Sequence, residues 1–196
     1  YKGGNTMQKI VFVSHCILNT AFKVVLYNQE EMDAEEALRK KFMHLAIDQG
    51  IQLIQLPCPE FTLYGANRWG HVSNQFDNVF FRRHCRNILT PILDQLKEYL
   101  AHGERFEILG VVGIDGSPSC GVDYTCTGDW YGSFEGRQNL AETLSTCRLS
   151  KGSGVLMSVL QEMLAEEGLE IRITSLFAPE PEKCLGLICP DAAVRV

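Results

Sequence analysis

No apolar stretch of this chain approaches the roughly 18 consecutive residues that a membrane-spanning helix needs. No run of lysine or arginine interrupts a formal net charge of −6. The first absence predicts no membrane span, and the second predicts no electrostatic grip on a nucleic-acid polymer. There is no internal repeat and no low-complexity tract, which excludes solenoids and tails of biased composition. Nor does the start carry a secretory pattern. Residues 1–7, from Tyr1-Lys-Gly-Gly-Asn-Thr6 to Met7, read as an N-terminal extension or an expression remnant.

Cysteine, by contrast, is plentiful: eight among 196 residues, in a chain that is 45% hydrophobic and 21% charged. That balance is globular, and the length suits one domain spanning 1–196 with a proper core. In a small secreted protein so many thiols would imply a disulfide framework. This chain is too long and too regularly α/β for that, so metal binding or catalysis in a reducing cytoplasm is expected.

Four short apolar runs read as strands: Lys9–Ser14, Ile51–Leu56, Ile108–Ile114 and Glu170–Phe177. Between the first two, a helix capped by Asp33 is expected, with Leu38, Phe42, Leu45 and Ala46 on one face and Gly50 at its end. A helical region from about 78 to 102 carries Ile88, Leu89, Ile92, Leu96 and Leu100. Pro91 inside it predicts a kink or two abutting helices. A last helix starts near Ser153 and ends at Gly168. Alternating strands and helices imply a single-domain, mostly parallel, Rossmann-like three-layer α/β fold with helices on both faces. Residues 121–150 read as an irregular loop, a candidate lid, and the tail from Pro179 reads as irregular too.

Three cysteines lie just past strand ends, where ligands gather in open parallel sheets. Cys16 stands in Val13-Ser-His-Cys-Ile-Leu-Asn19, Cys58 in Leu56-Pro-Cys-Pro-Glu60, and Cys120 in Gly113-Ile-Asp-Gly-Ser-Pro-Ser-Cys-Gly121. Three converging thiolates make a metal or cluster site with one position open. The prolines flanking Cys58 stiffen its corner. Glu60 reads either as a general base or acid, or as a solvated loop glutamate. Ser117 and Ser119 either act in the site or simply satisfy their turn, and His15 either contacts the site or packs. Arg68 and Trp69 form a candidate clamp for a flat heterocycle, with loop closure as the competing role for Trp69. Cys85 reads as packing. Cys126 stands near enough to Cys120 to approach the site, and Cys184 with Cys189 reads as a metal or disulfide pair.

His-Cys-Ile-Leu-Asn, Pro-Cys-Pro-Glu and Gly-Ile-Asp-Gly-Ser-Pro-Ser-Cys-Gly together resemble the thiouracil desulfurase family, most closely a branch of related desulfidases. Arg68-Trp-Gly-His71 and the stretch from Gln75 to Arg86 resemble the same branch. The resemblance implies a 4Fe–4S cluster held by Cys16, Cys58 and Cys120, with the fourth iron open to the sulfur of a small thiolated, nucleobase-like substrate. It implies Glu60 and Ser117 as the catalytic pair, and non-redox replacement of sulfur by water with release of hydrosulfide. His15 and Asn19 depart from the small residues that the thiouracil enzymes carry there, so the resemblance implies a small thiolated compound without fixing it as thiouracil. Two other readings remain: a sensor or carrier that binds a cluster or zinc without catalysis, and a hydrolase with a cysteine nucleophile.

Overall fold

The computed structural model describes residues 7–129 and 131–189. Residues 1–6 of the expected extension, Trp130 of the candidate lid and 190–196 of the tail lie outside the described residues. In chain order the elements are β1 (Gln8–Val13), α1 (His15–Leu18), α2 (Gln29–Asp48), β2 (Gln52–Gln55), α3 (Pro59–Tyr64), α4 (Ser73–Phe76) and α5 (Val79–Ala101). Then follow β3 (Phe106–Ile114), β4 (Tyr124–Thr127), α6 (Leu140–Ser145), β5 (Arg148–Lys151), α7 (Val155–Glu166), β6 (Ile173–Leu176) and α8 (Glu182–Ile188).

The main sheet runs β2-β1-β3-β6 with every pairing parallel, as the alternation of strands and helices predicts. Successive residues of a strand face opposite sides. Ile10 and Phe12 of β1 therefore pack with Phe81, Leu89 and Leu96 of α5 and Leu156 and Leu160 of α7. Val11 and Val13 pack instead with Leu38 and Phe42 of α2 and Leu185 of α8. The result is three layers, with β1 and β3 buried in the middle. The helix that leaves β1 covers one face, while the helix that leads into β3 covers the other. The winding reverses at the carboxyl ends of β1 and β3, the place where a sheet of this kind receives a ligand. No helix among the described residues is long and apolar enough to cross a membrane.

Several local expectations are corrected. The α2 helix starts before Asp33, and its cap is Asn28, whose side chain accepts the Glu31 N–H. The α5 helix runs unbroken through Pro91, capped by Asn78, rather than as two pieces, and Leu100 at its far end is exposed. Ser153 does not cap α7. Its hydroxyl donates to the Val122 carbonyl, and Gly154 holds the cap position. Residues 121–150 are not wholly irregular: β4 and β5 pair antiparallel, and α6 lies between them. The tail contains α8, whose Leu185, Leu187 and Ile188 are buried.

Because α5 stays continuous, Pro91 occupies an exposed turn of the helix while lacking the N–H that turn would use. Proline in a helix interior is worse than alanine by about 3 kcal/mol. Pro91→Ala is expected to raise the urea midpoint by the equivalent of about 1–3 kcal/mol; an unchanged or lowered midpoint would show that the ring contributes packing of its own.

Candidate active site

Three neighbouring strands deliver the three thiols. Ser14 ends β1 and places Cys16 in the single turn of α1. Past β2, Cys58 is the N-cap of α3, its sulfur accepting the Phe61 N–H at 3.5 Å, with Pro59 supplying the first helical residue. This is where a proline fits best, since that N–H would go unused. Past β3, the Gly116–Ser119 turn brings Cys120 back so that its carbonyl accepts the Ile114 N–H.

The sulfurs share one desolvated space. Burial first, and then the neighbouring Cys58, pushes the Cys16 thiol up to about 12. Burial also raises Cys58. Cys120 is raised by burial first and then by both Cys58 and Cys16. Desolvation thus keeps these groups as thiols unless a cation compensates the charge of the thiolates. Lys23 and Arg68 supply a weak pull in that direction at Cys16.

Glu60, in the first turn of α3, is not a solvated loop residue but is buried. Its Oε1 accepts from the Ser119 hydroxyl at 2.6 Å and its Oε2 from Arg68 Nε at 3.3 Å. Arg68 is folded inward, and its guanidinium also donates to the Phe22 carbonyl at 2.6 Å and the Gly65 carbonyl at 3.4 Å. These bonds give both oxygens of the buried carboxylate a partner.

The two serines of the turn divide their work. Ser117 Oγ accepts the N–H groups of Cys120 at 3.0 Å and Ser119 at 3.3 Å, which fixes the turn. Ser119 is the serine that reaches Glu60. Sequence reasoning missed this, because nothing in the composition of the turn separates the two hydroxyls. It also missed Asp115, whose Oδ1 accepts the N–H groups of Val122, Asp123 and Tyr124 and whose Oδ2 accepts from Ser175 Oγ at 2.7 Å. An acid directly after a strand was the available signal.

Three buried polar side-chain atoms among the described residues lack a hydrogen-bond partner, and two of them, Ser14 Oγ and His15 Nε2, belong to the loop that carries Cys16. Burial lowers the pKa of His15, so its ring is neutral. That ring lies on Phe22 with centroids 4.1 Å apart, and Phe22 stacks on Phe61 at 3.8 Å, which gives the mouth an aromatic wall. His15 Nε2 makes no hydrogen bond to the Cys16 thiol.

Trp69 is 74% exposed, its ring 6.4 Å from that of Phe134. Arg68 is turned inward onto Glu60, whereas Trp69 stands out on the surface. Cys85 is core packing. Cys126 lies beside Cys147, which raises its thiol after burial does. Cys184 and Cys189 are free, as are the other six cysteines.

The Cys85 and Cys184 thiols are raised to about 12 by burial. The fold therefore holds these protons more tightly than the unfolded chain, whose thiols titrate near 8.5. Stability from this source is whole below about pH 8.5 and is lost as pH climbs toward about 12. Melting temperatures of the metal-free protein should fall steadily above about pH 9, less steeply in Cys85→Ala; a flat alkaline profile would contradict the burial of these thiols.

No solved structure matches the chain. An uncharacterized protein of Methanocaldococcus jannaschii is 26% identical over 177 residues, covering 90% of this chain and 89% of that protein. A family model described as "Putative 2-thiouracil desulfurase" matches residues 8–145. That stretch runs from β1 through α6 and carries Cys16, Cys58 and Cys120 together with Glu60, Ser117 and Ser119. The chain belongs to that family.

Proposed function

We propose that the chain is an iron–sulfur-dependent desulfidase that removes sulfur from a small thiolated, nucleobase-like compound and releases hydrosulfide. The observation that carries this reading is that Cys16, half-buried, and Cys58 and Cys120, both buried, lie near enough at the ends of β1, β2 and β3 to raise one another's thiols, beside the buried Glu60 carboxylate. The donor set fits a 4Fe–4S cluster. No three His, Cys, Asp or Glu side chains among the described residues converge on one metal ion. A cuboidal cluster, unlike a single zinc ion, spreads its thiolate ligands apart. Ser14 Oγ, orphaned yet close enough to favour the Cys120 thiolate, suits a cluster edge.

When bound, such a cluster supplies a Lewis-acidic iron with a free position for the substrate's sulfur. The chain's own residues do the rest. Glu60 is the group in the site suited to take a proton from the attacking water, and Arg68 balances its charge. Ser117 keeps one hydroxyl proton to give, its oxygen being engaged with two N–H groups. The His15–Phe22–Phe61 wall presents a flat, neutral face to a planar ring and excludes bulk water.

Anaerobic reconstitution tests this directly. The wild-type protein should take up iron and sulfide in equal amounts and release hydrosulfide from thiolated heterocycles, and Cys58→Ala should lose the full complement. No iron uptake, or undiminished uptake in Cys58→Ala, would end the reading.

A further inference from the structure

We infer that Ser119 is a positioning residue for Glu60: its hydroxyl fixes the carboxylate in the single orientation from which it meets the reacting water. The consequence for catalysis rests on the desulfidase reading; the positioning itself does not.

The geometry is specific to this serine. Ser119 is 1% exposed and Glu60 7%, and the 2.6 Å bond between them is the shorter of the two side-chain bonds holding the carboxylate. Ser119 belongs to the Cys120 turn and Glu60 to the helix capped by Cys58, so one hydrogen bond ties two of the three cysteine loops together. The Ser119 backbone is fixed on both sides. Its N–H donates to Ser117 Oγ at 3.3 Å, and its carbonyl accepts from the Leu156 and Met157 N–H groups in the first turn of α7, at 2.9 and 3.3 Å. A backbone held in this way leaves the side chain little freedom to wander.

Ser117 is engaged within its own turn. Its oxygen already accepts two N–H groups, which use both lone pairs. Its remaining proton has Ser119 Oγ nearby at 3.4 Å. The donors therefore point one way, from Ser117 to Ser119 to Glu60 Oε1. Ser119 Oγ also lies 3.6 Å from Cys120 Sγ. Remove the Ser119 hydroxyl, and the carboxylate keeps Arg68 alone and turns toward it.

The test needs no cluster. In metal-free protein carrying isotope-labelled glutamate, the infrared carboxylate band that Glu60→Gln abolishes belongs to Glu60. That band should shift in Ser119→Ala and return toward its wild-type position in Ser119→Thr. Should the alanine variant fail to fold, Ser119→Cys, which keeps the size and exchanges the hydroxyl for a poor donor, reads the same band. In the reconstituted enzyme, Ser119→Ala should lower kcat on the order of 100-fold, leave KM within about twofold, and recover in Ser119→Thr. A band unmoved by loss of the Ser119 hydroxyl, or moved only by Ser117→Ala, overturns the inference. So does an unchanged kcat in Ser119→Ala. If the wild-type protein releases no hydrosulfide from any thiolated compound, the functional reading fails, and the band shift still decides the role of Ser119.

Discussion

Glu60→Gln is expected to take up as much iron as the wild-type protein and yet release hydrosulfide about 100- to 10,000-fold more slowly, the range that a lost general base commands. The amide matches the carboxylate in size, and its oxygen can still accept from Ser119, so the loops that carry Cys58 and Cys120 should stay in place. What disappears is the capacity to accept a proton. Replacing the oxygen that faces Arg68 with an NH₂ would also set donor against donor, which adds a stability loss of about 1–3 kcal/mol. The comparison separates an enzyme from a carrier. A protein that merely holds a cluster is indifferent to this substitution once iron uptake is matched. Equal iron content with equal hydrosulfide release in the two proteins would remove Glu60 from the chemistry.

The second large effect comes from a residue with no functional group. A Cβ added at Gly154 would lie 2.5 Å from the Ser119 carbonyl carbon, 2.6 Å from its oxygen and 2.8 Å from the Cys120 nitrogen. These are backbone atoms and cannot swing aside, so either α7 or the Cys120 turn must move. The turn is equally confined from below, since a Cβ at Gly113 would come within 2.4 Å of the Cys120 carbonyl oxygen. Gly154→Ala is therefore expected to cost about 3 kcal/mol, at the upper end of overpacking effects, and to lower iron retention more than that loss of stability explains. Gly103→Ala makes a suitable control, because the nearest atom to its added Cβ is 3.8 Å away. It should stay within about 0.5 kcal/mol of wild type. Urea denaturation of the metal-free proteins measures the first quantity, and iron analysis after reconstitution the second. Wild-type stability in Gly154→Ala would mean that the turn is far more yielding than its hydrogen bonds suggest.

Which features were legible in the sequence follows from which forces are local. The runs before Cys16 and Cys120 are largely buried strand segments and the run before Cys58 is a half-buried edge strand; apolar continuity is visible in any window, so β1, β2 and β3 could be read directly. The start of α2 was misplaced because its first turn, Gln29-Glu-Glu-Met32, shows no apolar face, while the cap at Asn28 acts through one side chain. The β4–β5 hairpin was missed because its strands are short and weakly patterned. It is held from outside, by Asn74, whose amide pairs with both the N–H and the carbonyl of Gly128, and by Thr125, which donates to the Ser117 carbonyl. The α8 helix was hidden by Pro179 and Pro181, although its leucines belong to the core. Within the site, the carboxylate at position 60 was foreseeable from its motif. Its partners were not, because Ser119 and Arg68 reach it only after α3 and the β3 turn are brought together.

The thiol-bearing loops also impose an order of events on biogenesis. Cys16 and Cys120 are separated by more than half of the 196 residues, and they become neighbours only when β3 inserts against β1, a strand made earlier in synthesis. A partly made chain thus offers at most two of the three sulfurs. If the chain holds the proposed cluster, its delivery follows closure of the sheet, and the donor would meet a surface on which β1 and β3 are already paired.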